Sequence, residues 1–67
     1  MEAYQERMLT ELKELSERTS KLYAFIGNRE NTDKLYIEKL DLLLKQYHHM
    51  SMYETILRQR CSLEGIL

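Results

Sequence analysis

Apolar residues recur at alternating intervals of four and three positions from Glu2 to Ile26. The members of this stripe are Met8, Leu12, Leu15, Leu22 and Ile26, with Gln5 and Thr19 at its polar positions. Such spacing places side chains on one face of an α-helix and is typical of coiled coils and helical hairpins. The pattern therefore predicts a first helix, from about residue 2 to residue 26, that packs against another helix.

A polar connection follows this helix at about residues 27–32. Gly27 can adopt the left-handed conformation that ends many helices. Asn31 or Thr32 can cap a second helix, and Asp33 then adds a favourable negative charge at its first turn. We therefore expect the second helix to run from about residue 33 to about residue 61, with a short C-terminal tail after it.

The second helix repeats the same spacing, which gives it a stripe of its own that we call its seam. The seam consists of Tyr36, Leu40, Leu43, Tyr47, Met50, Glu54, Leu57 and Cys61. Folding the chain back at the connection brings the two stripes together in one register. The opposed pairs in this register include Ile26 with Tyr36, Leu15 with Tyr47, and Met8 with Glu54. The sequence therefore predicts an all-α fold, an antiparallel two-helix hairpin in a single domain of residues 1–67.

The second helix also carries another stripe, rotated away from its seam, which we call the second stripe. It consists of Leu35, Lys39, Leu42, Gln46, His49, Tyr53, Ile56, Arg60 and Leu63. An amphipathic helix needs only one apolar face, and a lone hairpin has no third helix to cover a second one. We therefore predict that the chain assembles with copies of itself, as a dimer or larger helical bundle. The predicted interface residues are Leu35, Leu42, His49, Tyr53, Ile56 and Leu63.

Composition supports this expectation and limits the other sources of stability. The chain has 67 residues, no proline and two glycines, which favours long uninterrupted helices. A core in so short a chain supplies little net stability without disulfides, a metal or oligomerisation. Cys61 is the only cysteine, so no disulfide can form within the chain. Oligomerisation is the remaining source of stability.

Charge and hydropathy exclude several classes of partner. The formal net charge is −1, so no overall field attracts a nucleic acid duplex or an acidic membrane. The longest apolar run is Leu42–Leu44, far too short to span a membrane. The single thiol and an N-terminus unlike a signal peptide indicate a cytoplasmic setting.

No catalytic, metal-binding or cofactor-binding motif is present, so the sequence predicts a protein that is not an enzyme. His48 and His49 point about 100° apart on a helix and cannot chelate one ion together. We expect both histidines to lie on the surface or in an interface. Cys61 occupies a seam position, which predicts a buried and unreactive thiol. We therefore assign no catalytic residue, metal or cofactor.

Five polar and aromatic residues of the second helix could instead bind a small anionic ligand between subunits. Tyr53 and His49 could stack on a base, and Arg58 or Arg60 could neutralise phosphate. Gln46 would add polar contacts. The competing interpretation is an oligomer interface with a polar rim, because interfaces are enriched in aromatic residues and arginine.

Two segments resemble a set of small helical-hairpin proteins that bacteriophages encode, first catalogued in crAss-like phages. The first is ELSERTSKLYAFI at Glu14–Ile26, and the second is LLLKQYHHMSMYETILRQR at Leu42–Arg60. Together they extend over nearly the whole chain. His48, His49 and Cys61 are particular to this sequence, so the resemblance assigns them no role.

The resemblance implies an accessory phage protein that acts against host defence in the cytoplasm of the infected bacterium. Small helical phage proteins of this kind include ones that sequester the nucleotide second messengers of bacterial immunity. The leading expectation is therefore such a non-enzymatic sponge. Two alternatives are a module that inhibits a host or phage protein through a helical face, and a purely structural assembly helper.

Overall fold

The computed structural model describes all 67 residues, which form two long helices and a short one. Helix α1 spans Ala3–Gly27, α2 spans Arg29–Thr32, and α3 spans Ile37–Leu63. Helices α1 and α3 pack against each other as an antiparallel hairpin, and the molecule measures 46 × 15 × 14 Å. The predicted all-α hairpin is confirmed.

The connection between the long helices is built around Asn28 rather than Gly27. Gly27 is the last residue of α1 and does not have the left-handed conformation expected of it. Asn28 follows in an extended conformation, and its side chain accepts a hydrogen bond from the Glu30 amide at 3.0 Å. This cap starts α2 immediately. The Asn31 side chain then donates to the carbonyl oxygen of Phe25 at 3.2 Å and holds α2 against the end of α1.

The early start of α2 delays the second long helix. Asn31 and Thr32 lie inside α2, so neither caps α3, and Asp33 follows α2 as its C-terminal cap. Helix α3 begins only at Ile37, after Tyr36 in an extended conformation. The predicted start at about Asp33 was therefore wrong, because the polar segment formed a helical turn of its own.

Gly65 supplies the left-handed residue at the other end of the fold. Its φ is 73°, and its amide donates to the Ser62 carbonyl at 3.0 Å. The Ile66 amide donates to the Cys61 carbonyl at 3.1 Å. These two bonds form a Schellman motif, which satisfies the last carbonyls of α3. The reversal returns Ile66 to the core, where it is half-buried.

The buried core lies in the half of the hairpin away from the connection. It consists of Met8, Leu12, Leu15, Leu57 and Cys61, with Leu9, Met50 and Ile66 packed against it. All five core residues occupy predicted stripe or seam positions, and the Cys61 thiol is buried as expected. Only six of the 67 residues are buried, the sixth being Thr19. Because the core is so small, contacts outside it could add to the stability of the hairpin.

The predicted register of the two helices was wrong by about two to three helical turns. Glu54 was placed opposite Met8, but its carboxylate lies beside Thr19. Tyr47 was placed opposite Leu15, but its ring packs on Tyr23 at 5.6 Å between centroids.

At the far end, Glu64 accepts hydrogen bonds from Tyr4 at 2.5 Å and from Gln5 at 3.0 Å. Tyr36, expected opposite Ile26, is exposed. The start of α3 about four positions later than predicted contributes to the displacement, and a shift of one heptad would still bring stripe and seam together.

Candidate functional site

The second stripe lies to one side of the contact between α1 and α3 and is largely uncovered. Leu42 is 64% exposed, Ile56 is 54% exposed and Leu63 is 92% exposed, while Leu35 is half-buried. Single exposed apolar side chains are ordinary, but a row of them along one helix face marks an interaction surface. The structure thus leaves this face available for a partner.

Tyr53 joins the second stripe to α1. Its hydroxyl donates a hydrogen bond to the Glu11 carboxylate, and this bond raises the pKa of Tyr53 above its usual value. Arg60 and Arg18 lie close enough to oppose that shift. Arg18 also pairs with Glu14 at 3.6 Å across the surface of α1. We call this side of the hairpin the Tyr53 edge.

His49 and Gln46 lie exposed on the same face of α3. The Gln46 side-chain amide contacts the Met50 sulfur at 3.8 Å. The rings of His49 and His48 meet edge to face, with centroids 5.5 Å apart. No three His, Cys, Asp or Glu side chains come together in a way that could hold a metal ion. The predicted ligand-binding residues Gln46, His49, Tyr53 and Arg60 therefore share one face of the helix.

Arg58 does not join them. Two positions on a helix differ by about 200° in direction, so Arg58 and Arg60 point to opposite sides of α3. Arg58 instead donates to the Glu54 carboxylate at 2.8 Å. The structure thus divides the two predicted phosphate-binding arginines between the two edges of the hairpin.

On the Arg58 side, an open groove of about 580 Å³ runs between α1 and the end of α3. It is lined by Leu9, Leu12, Lys13, Ser16, Glu17, Ser20, Lys21, Arg58 and Leu67. We call it the Arg58 groove. The α1 residues in its lining were not among the predicted site residues. Lys13, Ser16 and Ser20 do follow helical spacing, but the spacing does not reveal which residue of α3 they face.

A polar layer crosses the hairpin beside this groove. The buried Thr19 hydroxyl donates to the Leu15 carbonyl oxygen at 2.8 Å. The half-buried Glu54 carboxylate lies next to it and accepts a hydrogen bond from Arg58. The hydrogen bond from Arg58, with a smaller effect of Ser16, lowers the pKa of Glu54 below its usual range, against the opposing effect of burial. Thr19 of the α1 stripe therefore lies beside Glu54 of the α3 seam, so the polar positions of the two helices pack together.

This carboxylate makes the fold sensitive to acid. Because the pKa of Glu54 is lowered in the folded chain, its ionised form stabilises the fold above the unfolded value of about 4.3. That contribution is lost as pH falls through the folded value. At pH 7 we expect Glu54→Gln to lower the free energy of unfolding by about 1–2 kcal/mol, with the difference shrinking below about pH 4.

Urea unfolding at pH 7, 5 and 3.5 measures this difference. The matched control is Glu14→Gln, since the Glu14–Arg18 pair is exposed and contributes little. A Glu54→Gln deficit that is the same at all three pH values would contradict the assignment.

The fold and its two edges, the Tyr53 edge and the Arg58 groove, define the class of protein. It is a small helical hairpin whose exposed side chains are its available binding groups. Neither long helix is apolar enough over a sufficient length to cross a membrane. The chain belongs to the Sequestin family, whose family model matches residues 2–63. No curated protein matches the chain, and no solved structure matches it.

Proposed function

We propose that this protein binds and sequesters a small anionic, nucleotide-derived signal without transforming it. The name of the family denotes sequestration, and the matched region includes both long helices. Sequestration requires a binding surface and no reactive group. We further propose that the signal belongs to bacterial immunity and that a bacteriophage uses the protein in the cytoplasm of its host as a counter-defence factor.

The observation that carries the proposal is the composition of the exposed second stripe. Leu42, Ile56 and Leu63 supply apolar area for assembly with another copy. His49 and Tyr53 supply aromatic rings on the same face, so assembly would place stacking groups in the interface. A pocket between copies would shield such a ligand from water.

Arg60 is one of the two cations of the second stripe, and the other, Lys39, lies near the connection. Arg60 lies near Tyr53 and Glu64 on the Tyr53 edge and forms no direct ion pair. A guanidinium has several N–H donors in a planar fork that matches phosphate oxygens. Arg60 therefore has donors free for an anionic ligand near Tyr53.

Thermal unfolding of the purified protein against a panel of cyclic nucleotides and ADP-ribose derivatives tests the proposal. A ligand that binds only the folded state stabilises it by about 2.7 kcal/mol at about 100 times its Kd. For a domain of this size, that corresponds to a rise in Tm of roughly 10–20 °C. No rise with any member of the panel would sink the proposed function.

Replacing Arg60 with alanine should weaken binding of the active panel member at least tenfold, because a phosphate contact is lost without disturbing the core. Isothermal calorimetry measures the change in Kd. Arg29→Ala is the matched control, since Arg29 lies on α2 at the other end of the hairpin. Equal affinities of the two variants would remove Arg60 from the site.

A second candidate function, inhibition of a host or phage protein through docking, is favoured by the apolar side chains near the connection. Tyr23, Phe25, Tyr36 and Ile37 are all exposed there. Recovery of one specific host protein by pull-down, its loss in a Tyr36→Ser/Ile37→Ser variant, and a silent nucleotide panel would together support this alternative.

A further inference from the structure

The Arg58 groove concentrates cations from both long helices. Lys13 and Lys21 reach it from α1, and Arg58 reaches it from α3. Neither lysine forms an ion pair within the chain. Arg58 uses one nitrogen for Glu54, which leaves other N–H donors of its guanidinium free. Three positively charged side chains therefore border one groove.

The remaining lining completes a site for a molecule that is charged at one end and apolar at the other. Ser16 and Ser20 place hydroxyl groups on the stretch of α1 between the two lysines, and Leu67 adds apolar surface. The volume of about 580 Å³ lies within the range of small-molecule sites, which are mostly apolar with a few polar groups. Glu17 is the one carboxylate in the lining.

The Tyr53 edge is less favourable to phosphate in its electrostatics. There Arg18 is paired with Glu14, and the hydrogen bond from Tyr4, with a smaller effect of the nearby Arg60, lowers the pKa of Glu64. The Tyr53 hydroxyl donates its hydrogen bond to the Glu11 carboxylate. The Arg58 groove has three cations against Glu17 in its lining and Glu54 beside it, whereas the Tyr53 edge has two cations against three carboxylates, so the groove has the stronger attraction for an anion.

We propose that the Arg58 groove is a binding site for the phosphate groups of a small phosphorylated ligand. Lys13, Lys21 and Arg58 contact the phosphate oxygens, and the hydroxyls of Ser16 and Ser20 add hydrogen bonds. The inference rests on the proposed function for the class of the ligand, a nucleotide derivative. The groove lies on the opposite edge of the hairpin from Arg60, so it is a second phosphate site, separate from the contact proposed for Arg60.

The test is an NMR titration of the isotopically labelled full chain with two probes, pyrophosphate and ADP-ribose. We expect both probes to shift the amide signals of Ser16, Ser20 and Arg58. Lys21→Ala should weaken pyrophosphate binding about fivefold, as loss of one contacting charge at a solvated site predicts. The Lys13→Ala/Lys21→Ala double variant should lose binding. Raising the salt concentration should weaken the interaction in the wild type.

Lys45→Ala is the matched control, because Lys45 is an exposed helical lysine paired with Asp41 and lies outside the groove. Its affinity for pyrophosphate should stay within twofold of wild type. Circular dichroism on each variant confirms that the exposed substitutions leave the helices intact.

The other outcomes separate this inference from the proposed function. If ADP-ribose binds but shifts His49 and Tyr53, and the lysine variants bind like wild type, the groove is refuted and sequestration stands. If no nucleotide binds but pyrophosphate still requires Lys13 and Lys21, the groove stands and the proposed function fails. If the lysine variants change the oligomeric mass and leave probe binding unaltered, the groove is a contact between copies and the inference is wrong.

Discussion

Replacing Leu57 with alanine should remove most of the stability of this protein. Leu57 is 1% exposed and belongs to the five-residue core that joins α1 to α3. Truncating a fully buried leucine lowers the free energy of unfolding by about 2–5 kcal/mol, because apolar contacts are lost and a cavity remains. A single core in so small a chain supplies about 3–5 kcal/mol. We therefore expect the variant to be largely unfolded at 37 °C.

Leu44→Ala is the matched control for Leu57→Ala. It makes the same chemical change on the same helix, at a side chain that is exposed and outside both the seam and the second stripe. Its free energy of unfolding should stay within about 1 kcal/mol of wild type. Urea unfolding followed by circular dichroism compares the two variants. Similar midpoints would show that the core described here does not hold the hairpin together.

Placing a charge at Ile56 should abolish self-association. Ile56 is half-exposed in the hairpin, so aspartate there is tolerated by the isolated chain. In an assembly built on the second stripe, the same carboxylate would be buried without a partner. An uncompensated buried charge opposes association by about 3 kcal/mol or more, which weakens it more than a hundredfold. We expect wild type to sediment as a dimer or larger assembly and Ile56→Asp as a monomer.

Thr55→Asp supplies the control for this experiment. Thr55 is the adjacent residue on α3, is also exposed, and points about 100° away from Ile56. It should leave the sedimentation coefficient of the wild type unchanged. Monomeric wild-type protein at micromolar concentration would refute assembly through the second stripe, whatever the variants do.

Periodicity was sufficient to predict the hairpin and its core. Met8, Leu12 and Leu15 recur at helical spacing, and so do Leu57 and Cys61, because each helix must bury one face. The same pattern could not predict the register of the two helices. A heptad repeat matches itself after a shift of seven positions, so the seam fits nearly as well with Tyr47 opposite Leu15 or, one heptad along, opposite Leu22.

Local capping chemistry decided between these registers. The side chain of Asn28 started α2 before Asn31 could cap α3, and α3 therefore began at Ile37. Asparagine is favoured as a cap at either position, so the sequence offered both starts. The choice depended on the contact of Asn31 with the end of α1, which is a tertiary interaction.

The candidate site was predicted in part for the same reason. Gln46, His49, Tyr53 and Arg60 share a face because helical spacing alone places them there. Arg58 was wrongly grouped with them, because its side chain points in a different direction from the helix. Its neighbours Lys13 and Lys21 belong to α1, and only the register of the two helices brings them to the same groove.

The position of the core also determines how the hairpin folds. Its buried contacts join residues 8–15 to residues 57–61, whereas no residue near the connection is buried. A hairpin stabilised near its turn gains contacts after closing a short loop, but here a long loop must close before the core forms. The core contacts therefore give a higher relative contact order than a hairpin stabilised at its turn would have, which we expect to slow folding. We expect the encounter of these distant segments, rather than formation of the turn, to set the kinetic barrier.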